Sequence, residues 1–218
     1  MKDRKDESYK YAWNIDDIVI QSGTLRSVAS VTNSYRDALT NWVHETMNGN
    51  MDAIDLRRAH KALIRKSAQP AYFEGMREGG IQAPEDDATE KDYASIKKWV
   101  TEQAGYTGDF SSAVVEARGD ESKRAEITRR VGLWADSVSG LGQAGLLSAK
   151  SDRPAVWHLG ETETHCTTCQ GLDGKRHRVS WFLQRGYLPH SPGNEILECE
   201  GYGKCYVTDA VTGERIGV

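Results

Sequence analysis

Two short stretches near the end of the chain decide its fold, HCTTC at residues 165–169 and CEGYGKC at residues 199–205. They contain all the cysteines of the 218-residue chain, which are Cys166, Cys169, Cys199 and Cys205. Two short-spaced pairs separated by a loop can bring four thiolates to one cation, which is how a structural zinc site is built. A small β-rich segment buries too little surface to be stable alone, and a bound metal supplies folding free energy. The spacing therefore predicts one structural zinc ion bound by the four cysteines.

The sequence also allows other states of these cysteines, namely disulfides or free thiols. Four cysteines in 218 residues do not make a disulfide scaffold, and a reducing compartment during folding favours metal over disulfide. A disulfide-stapled effector that ends up outside a cell, and partly buried free thiols, are the alternatives. His165 and His177 could each replace one sulfur, although histidines on the surface or in hydrogen bonds explain them more simply.

A catalytic metal centre is less favoured than a structural one. A catalytic site keeps an open coordination position, whereas four thiolates close the shell. The sequence lacks the zinc deaminase pattern, the nucleophile elbow, the H-E-x-x-H helix and the P-loop. A metal-dependent, nuclease-like hydrolase would have to rely on His165, His177 and Glu163. We therefore name no catalytic residues, and the sequence favours a structural role over an enzyme while leaving the hydrolase as the alternative.

The composition is that of a polar globular protein. The chain has 38% hydrophobic residues and a formal net charge of −4, so no overall basic field attracts nucleic acid. Residues 158–205 hold 5 basic and 6 acidic side chains, which makes a solvated strand face the simpler interpretation of the basic run 175–178. No apolar run approaches the roughly 18 residues of a membrane span, and the N-terminus lacks a secretory signal. We expect no contact with membranes.

The chain divides into three parts by composition. Residues 1–21 form a charged N-terminal arm, and residues 22–150 show helical periodicity. Four apolar stripes predict the buried helix faces: Leu25, Val28, Val31, Tyr35, Leu39 and Trp42; Ile54, Leu56, Ala59, Leu63 and Ile64; Tyr93, Ile96, Trp99 and Val100; Ile127, Val131, Trp134, Val138 and Leu141.

The breaks between these helices are predicted from capping and glycine signals. Asp52 is a candidate N-cap, and Gly79-Gly80 a candidate end for the second helix, which Pro70 either kinks or divides. Residues 81–90 form an acidic loop before a third helix at about 86–104. A further loop and a short helix at 111–117 follow. Glycines late in the fourth helix indicate a soft end or close packing against another backbone.

Residues 151–218 are predicted to form a cysteine-rich β module. The candidate strands are Val156–Leu159, Lys175–Val179, Cys205–Thr208 and Arg215–Val218, with a type I′ turn at Leu172-Asp173-Gly174 and one helical turn near Trp181. The expected fold class is α+β and mostly α, with amphipathic helices followed by this module.

The module resembles the C-terminal region of phage minor head proteins, the head morphogenesis proteins of the phage Mu type. The similarity is carried by two stretches of the module, WHLGETETHCTTCQGLDGKRHRVSWFLQRGYLP (157–189) and LECEGYGKCYV (197–207). It departs at the end, where the Cys-x-Cys pair of the relatives is reduced to Gly203-Lys204-Cys205. Cys205 is therefore the only late sulfur.

The resemblance implies a function that spacing and periodicity do not. Proteins of this family are low-copy structural components of the virion, associated with the portal and the inside of the head during head assembly and DNA packaging or ejection. It implies portal or capsid proteins as partners, contact with packaged DNA, oligomeric assembly, and folding in the host bacterial cytoplasm before incorporation into the virion.

Overall fold

The computed structural model describes residues 27–162, 164–189, 196–199 and 203–216. The arm expected at residues 1–21 lies outside these ranges. The described helices are α1 (Val28–Met47), α2 (Ala53–Glu78), α3 (Pro84–Asp87), α4 (Glu90–Glu116), α5 (Glu121–Ala149), α6 (Thr167–Leu172) and α7 (Val179–Gln184). The strands are β1 (Pro154–His158), β2 (Arg176–Arg178), β3 (Tyr206–Asp209) and β4 (Arg215–Ile216). The expected fold class, α+β and mostly α, is confirmed.

The ends of α1 and α2 follow the local sequence. Ser27 and Asp52 are the N-caps, and each side chain accepts a hydrogen bond from a backbone N–H in the first turn. α2 continues through Pro70 and ends at Gly79, so the proline does not begin a new segment. Tertiary packing explains its tolerance, because Tyr72 and Phe73 just beyond it are buried.

The predicted stripes form the core of the α1–α2–α4–α5 bundle, with two exceptions. The α1 stripe from Val28 onward and the α5 stripe are buried, whereas Leu25 lies outside the described residues. Ile54 was expected to face inward, but it is 67% exposed because it lies in the first turn of α2 on the solvent side. Tyr93 in α4 was also expected to face inward, but it is 45% exposed and makes an edge-to-face contact with Phe73.

The loop expected before the short helix is wrong, because it is helical, and the residues expected to form a separate helix at 111–117 are the C-terminal end of α4. α4 runs without a break through Gly105 and Gly108 to Glu116. Each glycine costs about 1 kcal/mol relative to alanine in a helix. Burial of Phe110 and Val114 against the bundle offsets that cost. The acidic stretch before α4 is also partly helical, because Pro84 begins the single turn of α3.

Glycines allow α2 and α5 to cross with their backbones in contact. A Cβ on Gly75 would lie 1.8 Å from the carbonyl oxygen of Gly142, and one on Gly145 would lie 1.9 Å from that of Tyr72. Neither position can hold a side chain without separating the helices. Of the two expectations for the late glycines of α5, close backbone packing is therefore the one observed.

The strands form one antiparallel sheet in the order β2-β1-β3-β4. All four expected strands are present, with bounds that differ by a few residues. Alternate residues Ala155, Trp157, Val207 and Ile216 are buried on one face of the sheet. That face packs against α6, α7 and the last turns of α5, so Leu146 and Leu147 belong to the core of the module. None of the described helices is both long and apolar enough to cross a lipid bilayer.

Candidate metal centre

The first two cysteines lie at the start of a short helix. Cys166 is the N-cap of α6, and its Sγ accepts a hydrogen bond from the backbone N–H of Cys169 at 3.4 Å. This turn directs both sulfurs to the same side of the helix end. The side-chain amide of Gln170 also donates to the carbonyl of His165 at 3.0 Å, which fixes the approach to the turn.

The third cysteine reaches the same point from a distant part of the chain. Leu197 is buried in the module core, and a carboxylate oxygen of Glu198 accepts a hydrogen bond from the N–H of Thr167 at 2.9 Å. These contacts hold residues 196–199 against the N-terminus of α6. Cys199 follows directly, and its backbone N–H also donates to Cys166 Sγ.

Cys166, Cys169 and Cys199 are close enough to bind one metal ion. Their sulfurs all lie within 4.8 Å of one another, and all three are free thiols. Two are half-buried and one is buried. A set of converging cysteine sulfurs that is partly shielded from water is the donor set of a structural site for a thiophilic cation.

Cys205 lies beside this group but outside the set of sulfurs that meet the 4.8 Å limit. It is a buried free thiol at the start of β3, and its side chain contacts the thiol of Cys169. A Cβ on Gly203 would lie 3.3 Å from Cys199 Sγ and 3.9 Å from Cys205 Sγ. The sulfurs of Cys199 and Cys205 therefore both lie near Gly203. Cys205, the remaining cysteine of the chain, is close enough to the cluster to be a candidate fourth ligand.

Another glycine brings the Cys205 segment into place. A Cβ on Gly160 would lie 2.0 Å from the carbonyl oxygen of Lys204. Only a residue without a side chain allows the backbone after β1 to approach the backbone before β3 this closely. This role of Gly160 could not be predicted from the sequence, because the partner backbone at Lys204 is 44 residues away in the chain.

The environment acts differently on the two cysteines of the first pair. Desolvation raises the pKa of Cys166, but the N–H groups of Cys169 and Cys199 outweigh it and lower the pKa overall. Burial raises the pKa of the Cys169 thiol, and contacts with the Cys166 and Cys205 thiols raise it further. A cation bound by these sulfurs would lower the pKa of Cys169, since a cation stabilises neighbouring thiolates.

The two histidines of the module have different surroundings. His165 Nδ1 lies 3.1 Å from the hydroxyl of Thr162 and 4.0 Å from Cys205 Sγ, so it stands at the border of the cluster. His177 lies on β2 and stacks on Trp181 with 3.6 Å between ring centroids. Glu163, the third residue of the hydrolase alternative, lies outside the described residues.

The turn that leads from the cysteine pair into the sheet differs from the expected one. Asp173 has φ −53° and ψ 130°, and Gly174 has φ 70°, which is a type II turn closed by the Lys175 N–H on the Leu172 carbonyl. A type I′ turn needs positive φ at both central residues. The expectation was wrong because the segment before the turn is helix α6 and not a hairpin strand.

Sequence reasoning also missed a second group of polar and aromatic side chains. His158 and Tyr206 stack with 5.2 Å between ring centroids, and the Arg215 guanidinium lies 4.0 Å from the Tyr206 centroid. The alternation of half-buried and buried residues along β1 and β3 is the signal that could have placed the two rings on one face.

Searches against protein-family models, curated proteins and solved structures found no match.

Proposed function

We propose that Cys166, Cys169, Cys199 and Cys205 bind one structural zinc ion, which stabilises the C-terminal module. The convergence of three sulfurs from two distant segments is the observation that supports this most strongly. Zn²⁺ prefers four ligands, and the buried Cys205 beside Cys169 supplies the fourth thiolate. The N–H group of Cys169 that points to Cys166 Sγ would stabilise a bound thiolate.

Metal analysis tests this proposal. Purified protein should carry about one zinc per chain, and Cys199→Ser should lose most of it with a lower melting temperature. Thr167→Ala is the control, because its side chain is exposed between the ligands Cys166 and Cys169 and its loss should leave zinc content unchanged. Zinc-free wild-type protein would overturn the proposal, and a mass lower by two hydrogens per bridge would identify disulfides instead.

We further propose that the chain is a structural minor head protein of a tailed phage, which binds portal or capsid subunits during head assembly. The resemblance of residues 157–189 and 197–207 to this family supports the proposal. A module held by a closed sulfur site also suits a structural part, since no coordination position is left for substrate. The helical bundle would carry the module to its position in the particle.

Location within a particle tests this role. Particles and assembly intermediates purified from the phage or prophage that encodes the chain should contain it at low copy number, next to the portal. The measurement is quantitative mass spectrometry of the particles, followed by cryo-electron microscopy of the portal vertex. Absence of the chain from both particles and intermediates would contradict the role.

A further inference from the structure

The sheet of the module has one face that no described element covers. We call it the outer sheet face. It is made by Pro154, Val156 and His158 of β1, Arg176 and Arg178 of β2, Tyr206 and Thr208 of β3, and Arg215 of β4.

Strand register places these residues together. One row crosses all four strands, because Val156 is paired with Arg176 on one side and Thr208 on the other, and Thr208 is paired with Arg215. Directly paired residues of neighbouring strands point to the same face. The eight residues are half-buried or exposed, whereas Ala155, Trp157, Val207 and Ile216 on the opposite face belong to the module core.

Aromatic rings lie on the two central strands of the outer sheet face, at one end of the sheet. His158 is paired with Tyr206, and their rings stack at an interplanar angle of 22°. His158 Nε2 also lies 2.8 Å from the hydroxyl of Thr208, which fixes the orientation of the imidazole. The guanidinium of Arg215 extends the stack over Tyr206. The open ends of such a stack of partly exposed groups are platforms on which nucleic-acid bases can stack.

The charge of the outer sheet face has one sign. Arg176, Arg178 and Arg215 are exposed, and none of the eight residues that define the face carries a carboxylate. Asp152 lies 3.8 Å from Arg178, but it precedes β1 at the margin of the sheet. The chain as a whole has a net charge of −4, so this local excess of cations stands out from the rest of the protein.

We propose that the outer sheet face binds single-stranded nucleic acid. The three arginines would contact phosphates, and unpaired bases would stack on the outer faces of the His158 ring and the Arg215 guanidinium, the two ends of the stack that has Tyr206 in its middle. Val156 is the only aliphatic side chain of the central row, so the face lacks the apolar centre of a typical protein interface. A duplex would fit less well, because paired bases do not present their faces for stacking.

This activity goes beyond the proposed role in the head. It requires the folded module, but it depends neither on a portal or capsid partner nor on which ligand set stabilises the cysteine cluster. Failure of the nucleic-acid experiment would therefore leave the zinc and particle experiments unaffected, and failure of those would leave this one unaffected.

Binding of fluorescein-labelled oligo-dT, followed by fluorescence anisotropy as salt is varied, tests the electrostatic part. The double variant R176Q/R215Q should bind more weakly, and the slope of log K against log salt should fall by about 1.4 in magnitude, from about 0.7 per lost phosphate contact. The matched control K97Q/K98Q removes two exposed cations from α4 and should bind like wild type. Equal weakening in both variants would overturn the proposal.

Two variants of Tyr206 test the contribution of aromatic stacking to nucleic-acid binding. Tyr206→Ala should weaken binding about tenfold because the ring that holds His158 and Arg215 in one stack is lost, and Tyr206→Phe should retain binding because the ring remains. Melting curves of each variant establish that the module is folded. Wild-type protein that fails to bind oligo-dT at low salt, or that binds a labelled duplex more tightly, would overturn the proposal, as would a Tyr206→Phe variant as weak as Tyr206→Ala.

Discussion

His60 of α2 is completely buried in the centre of the helical bundle. Its Nε2 lies 2.7 Å from the hydroxyl of Tyr35, and its ring meets the faces of Trp134 and Phe110 at steep angles. Burial lowers the pKa of His60 to about 3 and raises that of Tyr35 well above its usual value. The imidazole is therefore neutral and accepts the hydrogen bond that the tyrosine donates.

This pKa predicts a loss of stability in mild acid. In the unfolded chain the histidine takes up a proton near pH 6.5, whereas in the folded state it does so only near pH 3. Between these values the unfolded state binds more protons. The free energy of unfolding should therefore fall as pH decreases from about 6.5, by up to about 1.4 kcal/mol per pH unit. Above pH 6.5 this group should contribute no pH dependence.

Urea unfolding of wild type and the double variant Y35F/H60L across this pH range measures the effect. The variant removes the titrating ring and also the hydroxyl that would lose its partner. Carboxylates such as Asp92 titrate in both proteins, so the difference between the two pH slopes isolates His60. Parallel slopes would show that His60 does not titrate as its burial requires.

Polar contacts of this kind could not be predicted from sequence. A carboxylate oxygen of Asp92 accepts hydrogen bonds from Tyr72 and Ser148 at 2.6 Å each, which joins α4 to α2 and α5. Those partners are 20 and 56 residues away in the chain. Periodicity identifies the apolar stripe of each helix, but which polar side chains meet depends on how the helices pack.

At the scale of elements, two glycines determine how closely the helices α2 and α5 approach each other. Gly75 and Gly145 each face a carbonyl oxygen of the other helix, so the backbones touch where most helix pairs are separated by side chains. The sequence predicts either close packing or a soft end from such glycines. The choice between them needs the partner helix, and here Tyr72 of α2 supplies the contact for Gly145.

Substitution of Gly145 by alanine should destabilise the bundle by about 2 kcal/mol or more, because the new methyl group overlaps the Tyr72 carbonyl. Gly132→Ala in the same helix is the matched control. A Cβ there meets nothing within 4 Å, and the substitution should stabilise the protein by about 0.5–1 kcal/mol. Urea unfolding gives both values, and a stabilising Gly145→Ala would rule out the backbone contact.

Elements whose length depends on tertiary burial were harder to predict. The glycines at 105 and 108 indicated a break, yet α4 continues because Phe110 beyond them is completely buried. Short strands were easier, since the four strands of the module are bounded by local turn residues. The type of the turn at Asp173 was harder to predict than the strands, because it depends on the helix α6 that precedes the turn.

At the scale of the whole molecule, the module and the bundle share α5. Leu146 and Leu147 at its end belong to the module core together with Trp157 and Phe182. Most of this core comes from the module itself and α5 completes it, so the module has two sources of stability. One is burial against α5, and the other, under our proposal, is the metal held by its cysteines.

The spacing of the cysteines predicted part of the candidate site correctly. The Cys-x-x-Cys pair is local, and Cys199 joins it across an intervening segment that includes α7. The exact position of Cys205 could not be predicted, because it depends on the close approach of Gly160 to the backbone of Lys204. Metal-ligand spacing predicts that the two pairs approach each other. The distances between the sulfurs depend on how the fold packs the two segments.

X-ray absorption at the zinc edge of the purified protein tests the central proposal most directly. Four cysteine ligands predict a first shell of sulfur alone, at about 2.3 Å, with no nitrogen at the shorter zinc–imidazole distance. A shell of three sulfurs and one nitrogen would remove Cys205 from the site and point to His165, which lies at its border. A shell dominated by oxygen or nitrogen, or protein without zinc, would contradict a metal held by these cysteines.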